Sequence, residues 1–233
     1  MPEPSSDPVI AARGLGRRFG RHWALAHIQL EVDPGELVLL AGANGSGKTT
    51  LLRIIAGLIH RTRGELSVFG RDPHRQRAAC RSRTCLVTHH GYLYENLTAL
   101  EMVDLWNRLS PQPRDHAELL PLLDRMGLAE RAHEEVQTFS AGMRKRLTLL
   151  RAELEQPELV LLDEPFSALD PAGQHFVDRW ITGGLEQGKT FVIASHALAR
   201  ATRLGGRAVL LRRGQIAWRG PCERLAEQFQ VAS

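Results

Sequence analysis

Gly42-Ala43-Asn44-Gly45-Ser46-Gly47-Lys48-Thr49 fits the pattern GxxxxGK[ST], with the apolar run Leu37-Val38-Leu39-Leu40-Ala41 before it and a helical pattern after it. Strand, glycine-rich loop and helix in that order form an anion cradle. The glycines let the backbone wrap a phosphate with its N–H groups, and the new helix directs its positive end at the same point. In that cradle Lys48 reaches the β and γ phosphates of a nucleoside triphosphate, and the Thr49 hydroxyl is a magnesium ligand. The candidate nucleotide-binding set is Gly42, Ala43, Asn44, Gly45, Ser46, Gly47, Lys48, Thr49 and Thr50.

A phosphate loop alone leaves kinases, GTPases and motor ATPases open. Leu159-Val160-Leu161-Leu162-Asp163-Glu164 narrows the field, because it reads as a buried strand ending in two carboxylates. Asp163 suits a magnesium site, and Glu164 is placed to polarise a water.

Around these motifs the pattern alternates strand and helix. Residues 9–32 read as two strands turning near 17–23, and 64–69 as a short strand between glycines. Thr98 with Glu101 is a capping box opening a helix to Leu109, and 115–126 and 141–154 are further helical patterns. Residues 191–194 are a short apolar strand after a helix beginning near Pro171. Residues 208–219 read as a hairpin turning at Gly214-Gln215, and Pro221 as the start of a terminal helix. Alternating strands and helices imply a mainly parallel sheet. The β-rich start and helical middle read as subdomains attached to it.

Composition agrees with a globular protein: 43% hydrophobic and 24% charged residues in 233. No apolar run approaches the ~18–20 residues that cross a bilayer. The Pro- and Ser-rich residues 1–8 read as a disordered tail and not as a signal peptide. Cys80, Cys85 and Cys222 show no CxxC spacing, which argues against a disulfide framework or zinc site and for a reducing compartment. The net charge is +4, yet only three of the thirty basic residues are Lys. Residues 71–83 hold five arginines and His74 without interleaved aromatics, so they read as a solvated surface loop and not as a nucleic-acid patch.

Further motifs carry a resemblance. Phe139-Ser140-Ala141-Gly142-Met143, followed by Arg144-Lys145-Arg146, resembles the signature motif of ATP-binding-cassette (ABC) ATPases. Ser140 lies 23 residues before Asp163. Ser167-Ala168-Leu169-Asp170 resembles the family's D-loop, and Ser195-His196 after an apolar strand resembles its switch histidine. The chain is thereby identified as resembling the ATP-binding subunit of an ABC transporter. The resemblance implies an α/β fold: a P-loop NTPase (RecA-like) core, an antiparallel β subdomain and a helical signature subdomain. It also implies one ATPase domain over 9–233, with 9–88 and 155–233 as core plus β subdomain and 89–154 as the helical part.

By the same resemblance ATP and Mg2+ are the ligands. Glu164 is the general base, His196 contacts the γ-phosphate, and Lys48 completes the catalytic set. Asp163 and Thr49 hold the metal, and Phe19 stacks on adenine. Ser140 and Gly142 cap the γ-phosphate held by a second ATPase subunit, either another copy or a homologue. His90 occupies the place of the usual metal-binding Gln, which predicts slower or pH-sensitive hydrolysis relative to His90→Gln.

The partner expected is a separate integral membrane subunit, with the ATPase peripheral on the cytoplasmic face of the inner membrane. Leu97-Thr98-Ala99-Leu100-Glu101, the small size and the Phe-Ser-Ala-Gly-Met signature are similar to the ATP-binding subunit of the cytochrome c biogenesis haem exporter, although simple drug and lipid exporters share them. The alternative is a soluble ABC ATPase acting on nucleic acid or ribosomes. The basic charge favours it; the single cassette and the lack of aromatic platforms oppose it. A small-molecule kinase would leave Ser140, Asp170 and His196 without a role.

Overall fold

The computed structural model describes residues 7–88, 93–110, 112–196 and 202–230. His90 and most of the expected tail lie outside them.

Strands β1 (Ile10–Phe19), β2 (His22–Val32) and β4 (Arg63–Val68) form an antiparallel sheet in the order β2-β1-β4. A second sheet has the order β5-β6-β7-β3-β8-β9, from β3 (Leu37–Ala41), β5 (Thr84–Val87), β6 (Leu159–Asp163), β7 (Thr190–Ala194), β8 (Arg207–Arg212) and β9 (Gln215–Pro221). All its pairs are parallel except β8 with β9. Strands β3, β6 and β7 are buried along their whole length, which is why they read as unbroken apolar runs. Alternation still assigns the faces. Val38 and Leu40 pack with helix α1 (Lys48–Ile55) and the antiparallel sheet, while Leu37, Leu39 and Ala41 pack toward helix α6 (Pro171–Glu186).

A third core joins α3 (Ala99–Leu109), α4 (Leu119–Arg125) and α5 (Ala141–Glu155). The capping box at Thr98 is present: its hydroxyl accepts from the Glu101 amide, and the Glu101 carboxylate accepts from the Thr98 amide. Helix α5 is buried on two sides. Leu147, Leu150 and Leu154 face the helical core, and Leu149 and Ala152 face the parallel sheet.

Several boundaries differ from the sequence reading. The 115–126 pattern splits into a 3-10 turn at His116–Glu118 and then α4, because Asp115 caps the turn and Pro121 is tolerated only in a helix's first turn. The last hairpin turns at Arg213-Gly214, both at positive φ, one residue earlier than expected. Pro221 ends β9 and precedes a 3-10 turn, Cys222–Arg224, and helix appears only at Glu227–Gln230. The arginine-rich segment 71–83 is not all loop. It contains helix α2 (Arg77–Arg81), and Arg83 lies over the Phe69 ring while pairing with Glu158.

Candidate active site

The carboxyl ends of parallel strands are where α/β sheets bind ligands, because loops diverge there and helices begin. Register places Leu40 of β3 and Asp163 of β6 both opposite Ala194 of β7. The phosphate loop, the paired acids and Ser195-His196 therefore leave three adjacent strands at one level.

The loop's shape depends on glycine at its two ends. Gly42 has φ 145° and Gly47 has φ 109°. A Cβ on Gly42 would stand 2.4 Å from the Leu211 carbonyl, and one on Gly47 2.7 Å from that of Ala24. Strand β8 and the antiparallel sheet thus form the floor of the loop. Ala43, Asn44 and Gly45 are exposed, Ser46 is buried with its hydroxyl unpartnered, and Thr50 is half-buried in the first turn of α1.

Lys48 is buried. Its Nζ donates to the carbonyls of Gly42 (2.7 Å) and Ala43 (3.3 Å) and lies 4.0 Å from Glu164 Oε1. Burial lowers its pKa, and the Glu164 and Asp163 carboxylates work against that shift. The Thr49 hydroxyl donates to Asp163 Oδ1 at 3.1 Å. Burial raises the Asp163 pKa, with the Thr49 hydrogen bond opposing and the Glu164 charge assisting.

Glu164 has φ 49°, a left-handed conformation for a residue that also precedes proline. Its amide donates to the Ala194 carbonyl (2.8 Å), and the Ser167 hydroxyl closes the turn on the Glu164 carbonyl (2.8 Å). The carboxylate accepts from the His196 amide (3.3 Å) and the Ser195 hydroxyl (3.4 Å), and His196 Nδ1 lies 2.9 Å from Oε2. The His196 side chain is 60% exposed, which leaves the imidazole open to a ligand from solvent.

Ser140 and Gly142 open α5. The Ser140 hydroxyl caps the helix by accepting from the Met143 amide at 3.2 Å and is exposed. A Cβ on Gly142 would meet nothing closer than 3.8 Å, so nothing among the described residues demands glycine there. Phe19, at the β1–β2 hairpin tip, is 45% exposed. Among the described residues, no hydrogen bond or ion pair joins Ser140, Gly142 or Phe19 to the Lys48–Glu164–His196 cluster.

Sequence reasoning missed two contributors. The Ser195 hydroxyl is one. Another is Arg17, whose guanidinium lies 4.4 Å over the Phe19 ring and donates to the His60 carbonyl. Two-residue spacing on one strand face was the available signal.

The family model described as ABC transporter matches residues 25–167. The glutamine transport ATP-binding protein GlnQ of Escherichia coli (strain K12) is 35% identical across 97% of this chain and 100% of its own length. The chain belongs to the ABC transporter family. The sulfate/thiosulfate import ATP-binding protein CysA of Photorhabdus laumondii subsp. laumondii is 34% identical across 94% of this chain and 65% of its own. A solved dimeric, post-hydrolysis state of the ATP-binding cassette MJ0796 with ADP and Pi superposes with a TM-score of 0.83 at 25% identity, covering 91% of this chain and 98% of that one. This chain is therefore an ATP-binding ABC transporter subunit and an ATP hydrolase with a P-loop NTPase core. Among the described residues no helix is long and apolar enough to cross a membrane.

Proposed function

We propose that the cluster of Lys48, Thr49, Asp163, Glu164 and His196 hydrolyses Mg-ATP between two ATPase subunits and so drives a separate membrane subunit. The observation that carries this reading is the convergence of Lys48 and His196 on one carboxylate, Glu164, beside the Thr49–Asp163 pair.

The residues fit a magnesium-bound triphosphate. Lys48 rests on weak carbonyl acceptors that phosphate oxygens would replace, and Thr49 and Asp163 bring hydroxyl and carboxylate oxygens to one point, the donor set of a hard cation. Magnesium would neutralise charge on the β and γ phosphates. Glu164 takes the proton of the attacking water on a carboxylate oxygen, and His196 holds that carboxylate through Nδ1 while its exposed edge meets the γ-phosphate. Phe19 stacks on the adenine, with Arg17 covering its other face. His90 stands at the metal-relay position on sequence grounds alone. Ser140 and the unencumbered Gly142 serve a phosphate on the opposing subunit, which explains a glycine that its own chain does not require.

Residues 9–233 act as one ATPase unit with 89–154 as its helical part, peripheral to the cytoplasmic face of the inner membrane. A cavity of about 580 Å³ between α2, β5, α3 and α5, bordered by exposed Leu58 and Leu109, is the proposed seat of the membrane subunit. It opens beside Thr88, where the chain enters the relay position. Haem export remains a reading from local sequence, and the relatives above are named for glutamine transport and sulfate import. The nucleic-acid alternative is not favoured, because those relatives are transporter subunits.

Glu164→Gln tests the assignment. It should keep ATP binding, abolish turnover and accumulate a nucleotide-bound dimer. Parental hydrolysis by this variant would refute the role of Glu164.

A further inference from the structure

The three basic residues after the signature motif have different fates. Lys145 is buried on the helix face it shares with Leu149 and Ala152, and the Arg146 guanidinium lies 5.3 Å from the Phe176 ring centroid. Arg144 reaches back along the chain instead. Its Nη2 donates to the Gln137 carbonyl at 2.8 Å, and its Nη1 donates to Glu95 Oε1 at 3.3 Å, across 49 residues of sequence.

Both acceptors belong to one short stretch of backbone pairing. The Val136 amide donates to the Leu97 carbonyl (2.9 Å) and the Gln137 amide to the Glu95 carbonyl (3.0 Å), and Thr98 bridges antiparallel to Glu135. Residues 95–98 thus lie alongside 135–137, and the chain then passes through buried Phe139 to exposed Ser140 and into α5. Arg144 stands one turn past Ser140, whose carbonyl accepts from its amide at 2.9 Å. Backbone pairing fixes residues 136 and 137, and the Arg144 side chain fixes the angle at which α5 leaves them. A planar guanidinium suits this task, because its separate N–H groups hold a carbonyl and a carboxylate at a set angle, which a single ammonium does not.

We propose that Arg144 is a positioning residue for the phosphate-capping groups. Anchored on Glu95 and on the Gln137 carbonyl, it sets the first turn of α5 so that the Ser140 hydroxyl and the amides around Gly142 meet the phosphate on the opposing subunit. The proposal rests on the reading of Ser140 and Gly142 given above. Arg144 acts through the helix and not on the nucleotide, so its loss falls on dimer closure and spares ATP binding by a single subunit.

The test uses the full chain in the Glu164→Gln background, with Mg-ATP as the ligand. Sedimentation at saturating Mg-ATP gives the dimer dissociation constant, and equilibrium binding at subunit concentrations below that constant gives the affinity of one subunit. Arg144→Met keeps much of the aliphatic stem and removes the fork. Glu95→Gln keeps the shape of the acceptor and removes its charge. An exposed pair of this kind is worth about threefold in an equilibrium, and a dimer loses it twice, so each variant should raise the dimer constant about tenfold. Single-subunit affinity and melting temperature should stay parental. Because both variants break one contact, the double variant should be no worse than Arg144→Met alone, and Arg144→Lys should fall between parent and Met. Parental dimerisation by Arg144→Met would overturn the proposal, as would additive effects of the two variants or an equal loss of single-subunit affinity. A loss of dimer that tracks a fall in melting temperature would overturn it too, since that marks a contact serving only the fold. Gly142→Asp in the same background separates the two failures, because it sets a carboxylate against the opposing phosphate. If it dimerises as the parent does, the reading of the signature segment is wrong; if it does not while Arg144→Met dimerises normally, only the role of Arg144 is wrong.

Discussion

His196 Nδ1 lies 2.9 Å from Glu164 Oε2, and the His196 main-chain amide reaches the same oxygen at 3.3 Å. One residue thus grips the carboxylate through both backbone and ring. The backbone contact survives any substitution at 196 except proline, so His196→Ala should remove orientation and phosphate contact while leaving the carboxylate partly held. Its kcat is expected to fall by roughly 10²-fold with ATP affinity nearly unchanged, within the usual range for a group that assists proton transfer. Single-turnover hydrolysis beside equilibrium nucleotide binding measures both quantities.

Gly47→Ala tests the phosphate loop from its packing. The added methyl meets the Ala24 carbonyl at 2.7 Å and the Leu25 side chain at 2.6 Å, at a φ of 109° that alanine rarely adopts. The expected cost is about 2–3 kcal/mol of stability together with a large loss of nucleotide affinity. Melting curves with and without Mg-ATP show both, and the nucleotide-dependent rise in melting temperature should shrink.

Acid stability depends in part on Asp72. The Arg61 guanidinium, 2.7 Å away, and the His74 amide at 2.9 Å hold this carboxyl well below the usual carboxylate range. The folded chain therefore gives up this proton at lower pH than the unfolded chain. The resulting stabilisation is complete above the ordinary value of 3.8 and is lost as pH falls below it. Asp72→Asn should be less stable at pH 7 by roughly 1–2 kcal/mol, and that gap should close as urea titrations move to acid pH.

Leu109 is 74% exposed and Leu58 47% at the rim of the proposed docking cavity. Leu109→Asp should leave the fold intact, because the side chain already meets solvent, and ATP hydrolysis by the isolated subunit should stay within about twofold of parental. Co-purification with its membrane partner from detergent-solubilised membranes should be lost. Full retention of that partner would place the contact elsewhere.

The nucleotide core was legible because its signals are local. Glycines, one lysine and two acids at strand ends report their own surroundings, and fully buried strands announce themselves by apolarity. Helix boundaries were less legible. At 115–126 the periodic leucines suggested a continuous helix, but Asp115 and Pro121 divide it. The roles of the arginines at 61, 83 and 207 were invisible for another reason. Their partners Asp72, Glu158 and Glu36 lie 11, 75 and 171 residues away, and chain spacing carries no record of such pairs. Lys145 was hidden inside a run of three basic residues that reads as one polar surface, and only the face it shares with Leu149 and Ala152 sets it apart.

Of the three lysines, Lys48 and Lys145 are buried, which leaves Lys189 alone partly open to solvent. Among the lysines, amine-selective acylation of the native protein should therefore mark one side chain, on an exterior otherwise written in guanidinium. Cross-linkers built for lysine will find almost no foothold on this subunit. Carboxylate- or arginine-directed chemistry is the better means of mapping what it touches, and any extra amine that becomes reactive reports that the nucleotide site has opened.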